Sequence, residues 1–152
     1  MKLTPHSARM YILLAAFFLA LPSLNHMYKG QEGRFLVAHS DQPAGVFHQT
    51  VIYIVHHDIF GGARGYIINR PLLGQGEFYG GPVAYPEHVF VMNYQDKKRE
   101  YRGFAGWAPL QLEYEIVRGA WSIRDSDRGA IFSDTPEKVW VNVSGQTRGA
   151  VY

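Results

Sequence analysis

The chain contains no cysteine, and that single absence removes a disulfide scaffold, thiolate zinc or iron–sulfur ligation and a cysteine nucleophile. Charge is scarce too: Asp, Glu, Lys and Arg make up 18% of the 152 residues, and no block of one sign is long enough to form a solvated tail. No repeat of solenoid length recurs, and neither collagen spacing nor heptads run through the chain. Long hydrophobic runs are lacking except for one, Met10 to Leu21, which is shorter than the roughly 20 residues an unassisted transmembrane helix needs. What is present is 47% hydrophobic and 14% aromatic content, with 16 glycines and 10 tyrosines spread along the chain, which fits one globular domain.

The apolar run follows Lys2 and Arg9 and precedes Pro22, Ser23, Asn25 and His26, the order of an export signal. No small-x-small cleavage site follows it clearly. Residues 1–29 are therefore expected to be a signal peptide or membrane anchor, with residues 10–27 in contact with the membrane and the protein membrane-associated or exported, on the periplasmic side where translocated. Residues 30–152 form the expected domain. From Gly30 onward twelve Lys and Arg face all thirteen Asp and Glu, so this region is near neutral. Duplex binding draws on several cations neutralising phosphates together, and direct nucleic-acid binding is not expected here. The cluster Lys97, Lys98, Arg99 and Arg102, interleaved with Asp96 and Glu100, reads as a solvated hairpin tip.

Arg34 to His39 reads as a first strand. Thr50 to His57 is the strongest strand signal, β-branched and aromatic throughout. Its two faces, Val51, Tyr53, Val55, His57 and Thr50, Ile52, Ile54, His56, are both largely apolar, which predicts a central strand covered on each side. Asp58 to Gly62 supplies a bend, and Arg64 to Asn69 pairs back until Pro71, which lacks a ladder donor. Gly74 to Pro82 is expected to be loop, His88 to Asn93 a strand, and Arg99 to Phe104 its partner. A helix opening at Pro109 would place Leu112 and Ile116 on one side and close at Gly119. Ala120 to Arg124 reads as a last strand, and a second helix follows Asp134 or Thr135 with Pro136 in its first turn and Val139 and Trp140 as anchors. This order predicts an α+β fold: one compact domain with a mixed β-sheet core and a few short helices packed on it.

Eight short motifs then stand in a characteristic order: Phe35 to Ala38, Thr50 to Ile54 through His57, Gly65 to Leu72, Tyr79 to Val83, Gly103 to Trp107, Gln111-Leu-Glu113 with Glu115, Gly119-Ala-Trp121, and Phe132 with Asp134-Thr-Pro136. In these the chain resembles the AlgH/YqgE family of bacterial proteins, some members of which are named as putative transcriptional regulators. The resemblance covers Gly33 to Trp140 and implies a compact α+β domain with a binding or regulatory role. It implies no established active site, and it implies a cytoplasmic location, which pulls against the leader. Three departures stand out. Only Leu73 to Phe78 spans an interval that is commonly longer and helical in the family, Leu110 occupies the place of a glycine before Gln-Leu-Glu, and the last helix is cut short at Tyr152.

The residue chemistry gives no catalytic signature. Ser40, Ser122, Ser126 and Ser133 lack a nucleophile elbow. His57, Asp58, Glu113 and Glu115 could do acid–base work, but their spacing does not bring them together, and Glu113 and Glu115 lie about 200° apart on a helix. Glu115 is expected to pair with Arg118 at the surface. His56 and His57 point to opposite faces of a strand and cannot share one ion; a site on His56 and Asp58 would need His39 or His88 as well. No metal or cofactor is expected. Gly61-Gly62 and Gly80-Gly81 either shape turns or offer N–H groups to an anion. Asn69 and Arg70 either recognise a carboxylate, phosphate or partner backbone, or cap the hairpin and meet solvent. Trp107, Trp121 and Trp140 read as core and helix anchors. The leading expectation is a noncatalytic module contacting an unknown protein or small anionic ligand through His57, Asn69, Arg70, Gly80 and Gly81. The alternative is a small hydrolase-like or ligand-processing enzyme using His57 and Asp58.

Overall fold

A computed structural model describes residues 31–41 and 45–145. The expected leader, residues 1–29, lies outside the described residues. No helix among those described is long and apolar enough to cross a membrane.

The fold is α+β, and its strands divide between two sheets. The larger is wholly antiparallel, in the order β7-β3-β2-β1-β8, built from β1 (Arg34–Ala38), β2 (Val51–Asp58), β3 (Gly62–Ile67), β7 (Ala105–Trp107) and β8 (Trp121–Asp125). The smaller, in the order β4-β6-β5, joins β4 (Glu77–Tyr79) in parallel and β5 (Val89–Tyr94) in antiparallel fashion to β6 (Lys97–Arg102). β4 is a correction to the expectation of loop from Gly74 to Pro82. Its three residues pair with a strand some twenty positions downstream, a partner that local composition does not reveal.

β2 is central, and apolar side chains leave the large sheet on both faces, as its sequence implies. Phe35, Val37, Val51 and Tyr66 join one core with Phe78 and Tyr101 of the small sheet and with Ile131, Phe132, Val139 and Trp140. The last four come from α2 (Arg128–Ile131), its C-terminal end, and α3 (Pro136–Ser144). Leu36, Ile52, Ile54 and Ile67 join a second core with Trp107, Trp121 and Leu112 of α1 (Gln111–Val117). The large sheet is thus the middle layer, with the small sheet, α2 and α3 on one side and α1 on the other. The three tryptophans are buried anchors, and Trp140 also donates its indole N–H to Ala38 O at 2.9 Å.

One irregularity redirects the centre of the sheet. Ile54 pairs with Gly65 and His56 with Arg64, leaving Val55 as a bulge. The extra residue breaks the strict alternation of side chains beyond it. His57, expected beside Val51 and Val55, therefore shares the face of Ile54 and opposes Ala63 in the α1-side core.

The basic cluster on β6 is a structural tie instead of a solvated tip. Lys97 Nζ bonds both carboxylate oxygens of Asp134 at 2.9 and 3.0 Å and Phe132 O at 3.2 Å. Arg99 donates to Ser133 O and lies over the Phe78 ring, Arg102 pairs with Glu77, and Lys98 with Glu100. The hydrogen bond and charge of Lys97 hold the Asp134 carboxyl below its ordinary value.

The two sheets meet at Gly80 and Gly81. Gly80 N–H donates to Arg102 O at 2.7 Å, while Gly80 O accepts from Ile67 N at 2.9 Å, so one residue stitches β6 to the end of β3. A β-carbon on Gly81, whose φ is 152°, would fall 2.1 Å from the Phe104 carbonyl carbon. Glycine is required there by backbone-on-backbone contact.

Candidate functional site

α1 carries most of the chemistry-bearing side chains, and its start is unusual. Leu110 is the N-cap with φ 64°, in the left-handed region, and offers no side-chain cap. For this reason the helix begins at Gln111 and not at Pro109. The Gln111 side chain compensates by accepting from Ala108 N at 3.0 Å, and Leu110 N–H is taken by Ile59 O at 3.2 Å.

From that start Leu112 points into the core and Glu113 reaches the bulged strand. Glu113 Oε1 lies 2.6 Å from His57 Nε2, with the two side chains 12% and 1% exposed. The fold thus unites two groups that their spacing leaves apart. A carboxylate on an imidazole fixes the ring's orientation. This pair is nevertheless largely buried, and neither residue lines the cleft described below. Asp58, the other member of the expected pair, accepts from Phe60 N and Gly61 N at 2.8 and 2.7 Å and so shapes the β2–β3 bend.

Glu115 turns inward. Its Oε2 accepts from Trp107 Nε1 at 2.8 Å and Trp121 Nε1 at 2.7 Å, and its Oε1 accepts from Gln111 Nε2 at 2.9 Å. The expected Glu115–Arg118 pair does not form; Arg118 Nη1 donates instead to Tyr114 Oη at 2.8 Å. A signal for the inward turn does exist in the sequence. Glu115 follows Leu112 by three positions and precedes Ile116, so it borders the apolar stripe, where a carboxylate needs buried donors. Indole N–H groups are the donors that core packing supplies.

The other expected contact residues are committed to structure. Asn69 is 8% exposed; its Oδ1 accepts from Val51 N and its Nδ2 donates to Gln49 O, both at 2.9 Å, clamping the start of β2. Arg70 Nη2 donates to His48 O at 2.7 Å. Gly80 and Gly81 are buried at the sheet junction, and the Gly80 N–H is already bonded. Among the described residues no three His, Cys, Asp or Glu groups gather as metal ligands. His39 lies near Asp41 and His88 bonds Tyr66 Oη, so neither joins His56, which faces Glu32.

The open concavity lies at the C-terminal end of α1. It has a volume of about 840 Å³ and is lined by His39, Asp41, Tyr114, Glu115, Arg118 and Ser122, with Gly119 and Ala120. The helix end is closed by backbone bonds from Arg118, Gly119 and Ala120 to Tyr114, Ile116 and Glu115, with Gly119 at φ 78°. Both carboxylates of the wall have donors: Glu115 has the indoles and Gln111, and Asp41 has Ser40 Oγ and the nearby His39. Arg118 has a neutral partner, Tyr114, and no carboxylate among the described residues. Arg118 thus forms no ion pair among the described residues, although Asp41 and Glu115 share the wall with it.

Comparison with known proteins places this arrangement in context. The sequence profile of the AlgH-like family matches residues 79–151. A UPF0301 protein of Methylococcus capsulatus is 32% identical over 171 aligned positions, covering 78% of this chain and 92% of the relative. A UPF0301 protein of Chlorobium phaeobacteroides is 25% identical, covering 85% and 92%. The solution structure of the AlgH protein from Pseudomonas aeruginosa superimposes with a TM-score of 0.60 at 25% identity, covering 79% of this chain and 90% of that one. A crystal structure from Corynebacterium diphtheriae, 18% identical, gives 0.63 and shares the fold.

Proposed function

The chain belongs to the AlgH-like family, and from that premise we propose that it is a noncatalytic binding or regulatory module that takes a small anionic ligand in the cleft at the end of α1. The observation that supports this reading is the Arg118 guanidinium, set in the cleft wall beside the Tyr114 hydroxyl and without an ion-pair partner among the described residues. Guanidinium geometry matches carboxylate and phosphate oxygens, and Tyr114 and Ser122 add hydroxyl donors. A transcription-linked role would then act through ligand or protein contacts and not through the duplex, since the basic side chains of β6 are engaged within the fold.

The test is titration of isotope-labelled protein with inorganic phosphate and with succinate, followed by amide shifts. Saturable movement of Gly119, Ala120 and Ser122, abolished in Arg118→Ala, is the expected result. Shifts unchanged by that substitution would refute the site. Burial of His57 against Glu113 and use of Asp58 in a bend weigh against the alternative hydrolase-like enzyme. Turnover in a hydrolase substrate screen that His57→Gln abolishes with the fold intact would reinstate it.

A further inference from the structure

The small sheet ends in an open strand. β5 pairs with β6 on one side, and among the described residues no strand pairs with its other side. Antiparallel pairing alternates bonded and non-bonded residue pairs, and two bonds fix the phase here. Gly103 N donates to His88 O toward β5, whereas Glu100 N donates to Gly76 O away from it. The residues whose N–H and C=O groups face β6 are therefore Phe90, Met92 and Tyr94. Those of Val89, Val91 and Asn93 point outward, along the free edge.

That edge has none of the features that discourage strand addition. β5 is six residues long, Val-Phe-Val-Met-Asn-Tyr, with no charge and no proline. Val89 and Val91 are 42% and 41% exposed on its outer face. An uncharged edge matches an uncharged strand, since a charged one would lose hydration without gaining a partner.

We propose that β5 is a homodimer edge, pairing antiparallel with β5 of a second copy about a two-fold axis through Val91. In this register Val91 meets Val91, Val89 meets Asn93, and about six inter-chain backbone hydrogen bonds form. No like charges oppose one another within the strand. At its ends this register sets Glu87 of one copy opposite the uncharged Gln95 of the other. The result is a continuous sheet of two copies, an isologous contact that closes on itself. It lies on a different element from the α1 cleft and is independent of any ligand there.

The two-fold makes a decisive test available at one position. Sedimentation equilibrium of the full chain should show a monomer–dimer equilibrium. Val91→Lys and Val91→Glu each set like charges face to face and should weaken it by about tenfold or more. An equimolar mixture of the two variants should restore association, because residue 91 then meets the opposite charge. Val91→Thr, neutral and β-compatible, should stay close to wild type, and circular dichroism confirms folding of each. A wild type that remains monomeric at hundreds of micromolar overturns the proposal. So do a dimer indifferent to both charges and a mixture that fails to recover, each of which would place the contact elsewhere.

Discussion

His57 Nε2 and Glu113 Oε1 meet at 2.6 Å between the middle strand of the large sheet and the helix that covers it, fifty-six residues apart in the chain. The bulge at Val55 makes this meeting geometric necessity: without it His57 would leave the sheet on the opposite face, toward the small sheet. The pair joins layers, and its expected contribution is to stability. Glu113→Ala should lower unfolding free energy by about 1–3 kcal/mol, the usual cost of stranding a buried polar group. Urea unfolding measures this, and a smaller loss for Glu113→Gln, which keeps an acceptor, separates hydrogen bonding from packing.

Glu115 should be as costly to remove, with an optical signature of its own. Its carboxylate accepts from Trp107 and Trp121, whose rings lie 6.0 Å apart and nearly perpendicular. Glu115→Ala leaves two buried indole N–H groups without an acceptor, a loss of about 2–4 kcal/mol in total. Near-ultraviolet circular dichroism should lose intensity in the tryptophan region, with the far-ultraviolet spectrum retained.

Leu110 sits at φ 64°, where a β-carbon is strained, and its side chain is 54% exposed. Leu110→Gly should therefore stabilise the protein by about 1 kcal/mol, since it relieves a left-handed residue while surrendering little burial. Thermal melting reads the effect as a higher Tm. A lower Tm would show that the side chain contributes more at the surface than its backbone costs.

The Tyr101 ring is fully buried, and among the described residues its hydroxyl has no hydrogen-bond partner. Burial pushes its ionisation well above the ordinary value of 10.0, with the Arg99 charge pulling weakly the other way. An acid whose folded value is raised binds its proton more tightly when folded, so its contribution is complete below pH 10 and declines as pH climbs beyond it. Tyr101→Phe should raise stability by about 1 kcal/mol at neutral pH and flatten the alkaline decline. Urea midpoints at pH 7 and above pH 10 give both quantities.

Much of the architecture was legible because it depends on local pattern. Thr50 to His57 is apolar on both faces and lies between two cores, and Pro136 with Val139 and Trp140 marks α3 as expected. Other features depend on distant partners. β4 exists because Glu77 to Tyr79 finds β6, and the short α2, capped by Asp127, follows a strand with little helical signal of its own. The division into two sheets is set where Gly80 meets Arg102 and Ile67, a contact that no periodicity encodes.

The candidate site was less legible, and the reason is the same. Asn69 and Arg70 look like a recognition pair in sequence, yet the backbone at Gln49, Val51 and His48 takes their hydrogen bonds. Arg118, by contrast, looks like half of a helix ion pair. It makes no ion pair with Glu115 because that carboxylate has turned toward the two indoles, and only the return of Trp107 and Trp121 to the same place reveals that.

The meeting of Trp107, Glu115 and Trp121 also constrains how this chain can diverge. The strand before α1, the helix and the strand after it each hold one share of a single polar junction. Losing either indole first leaves the carboxylate short of a donor, while losing the carboxylate first orphans both indoles. Drift at these positions therefore passes through a less stable intermediate unless the members change together, and descendants should keep the trio or replace it wholesale with an apolar one.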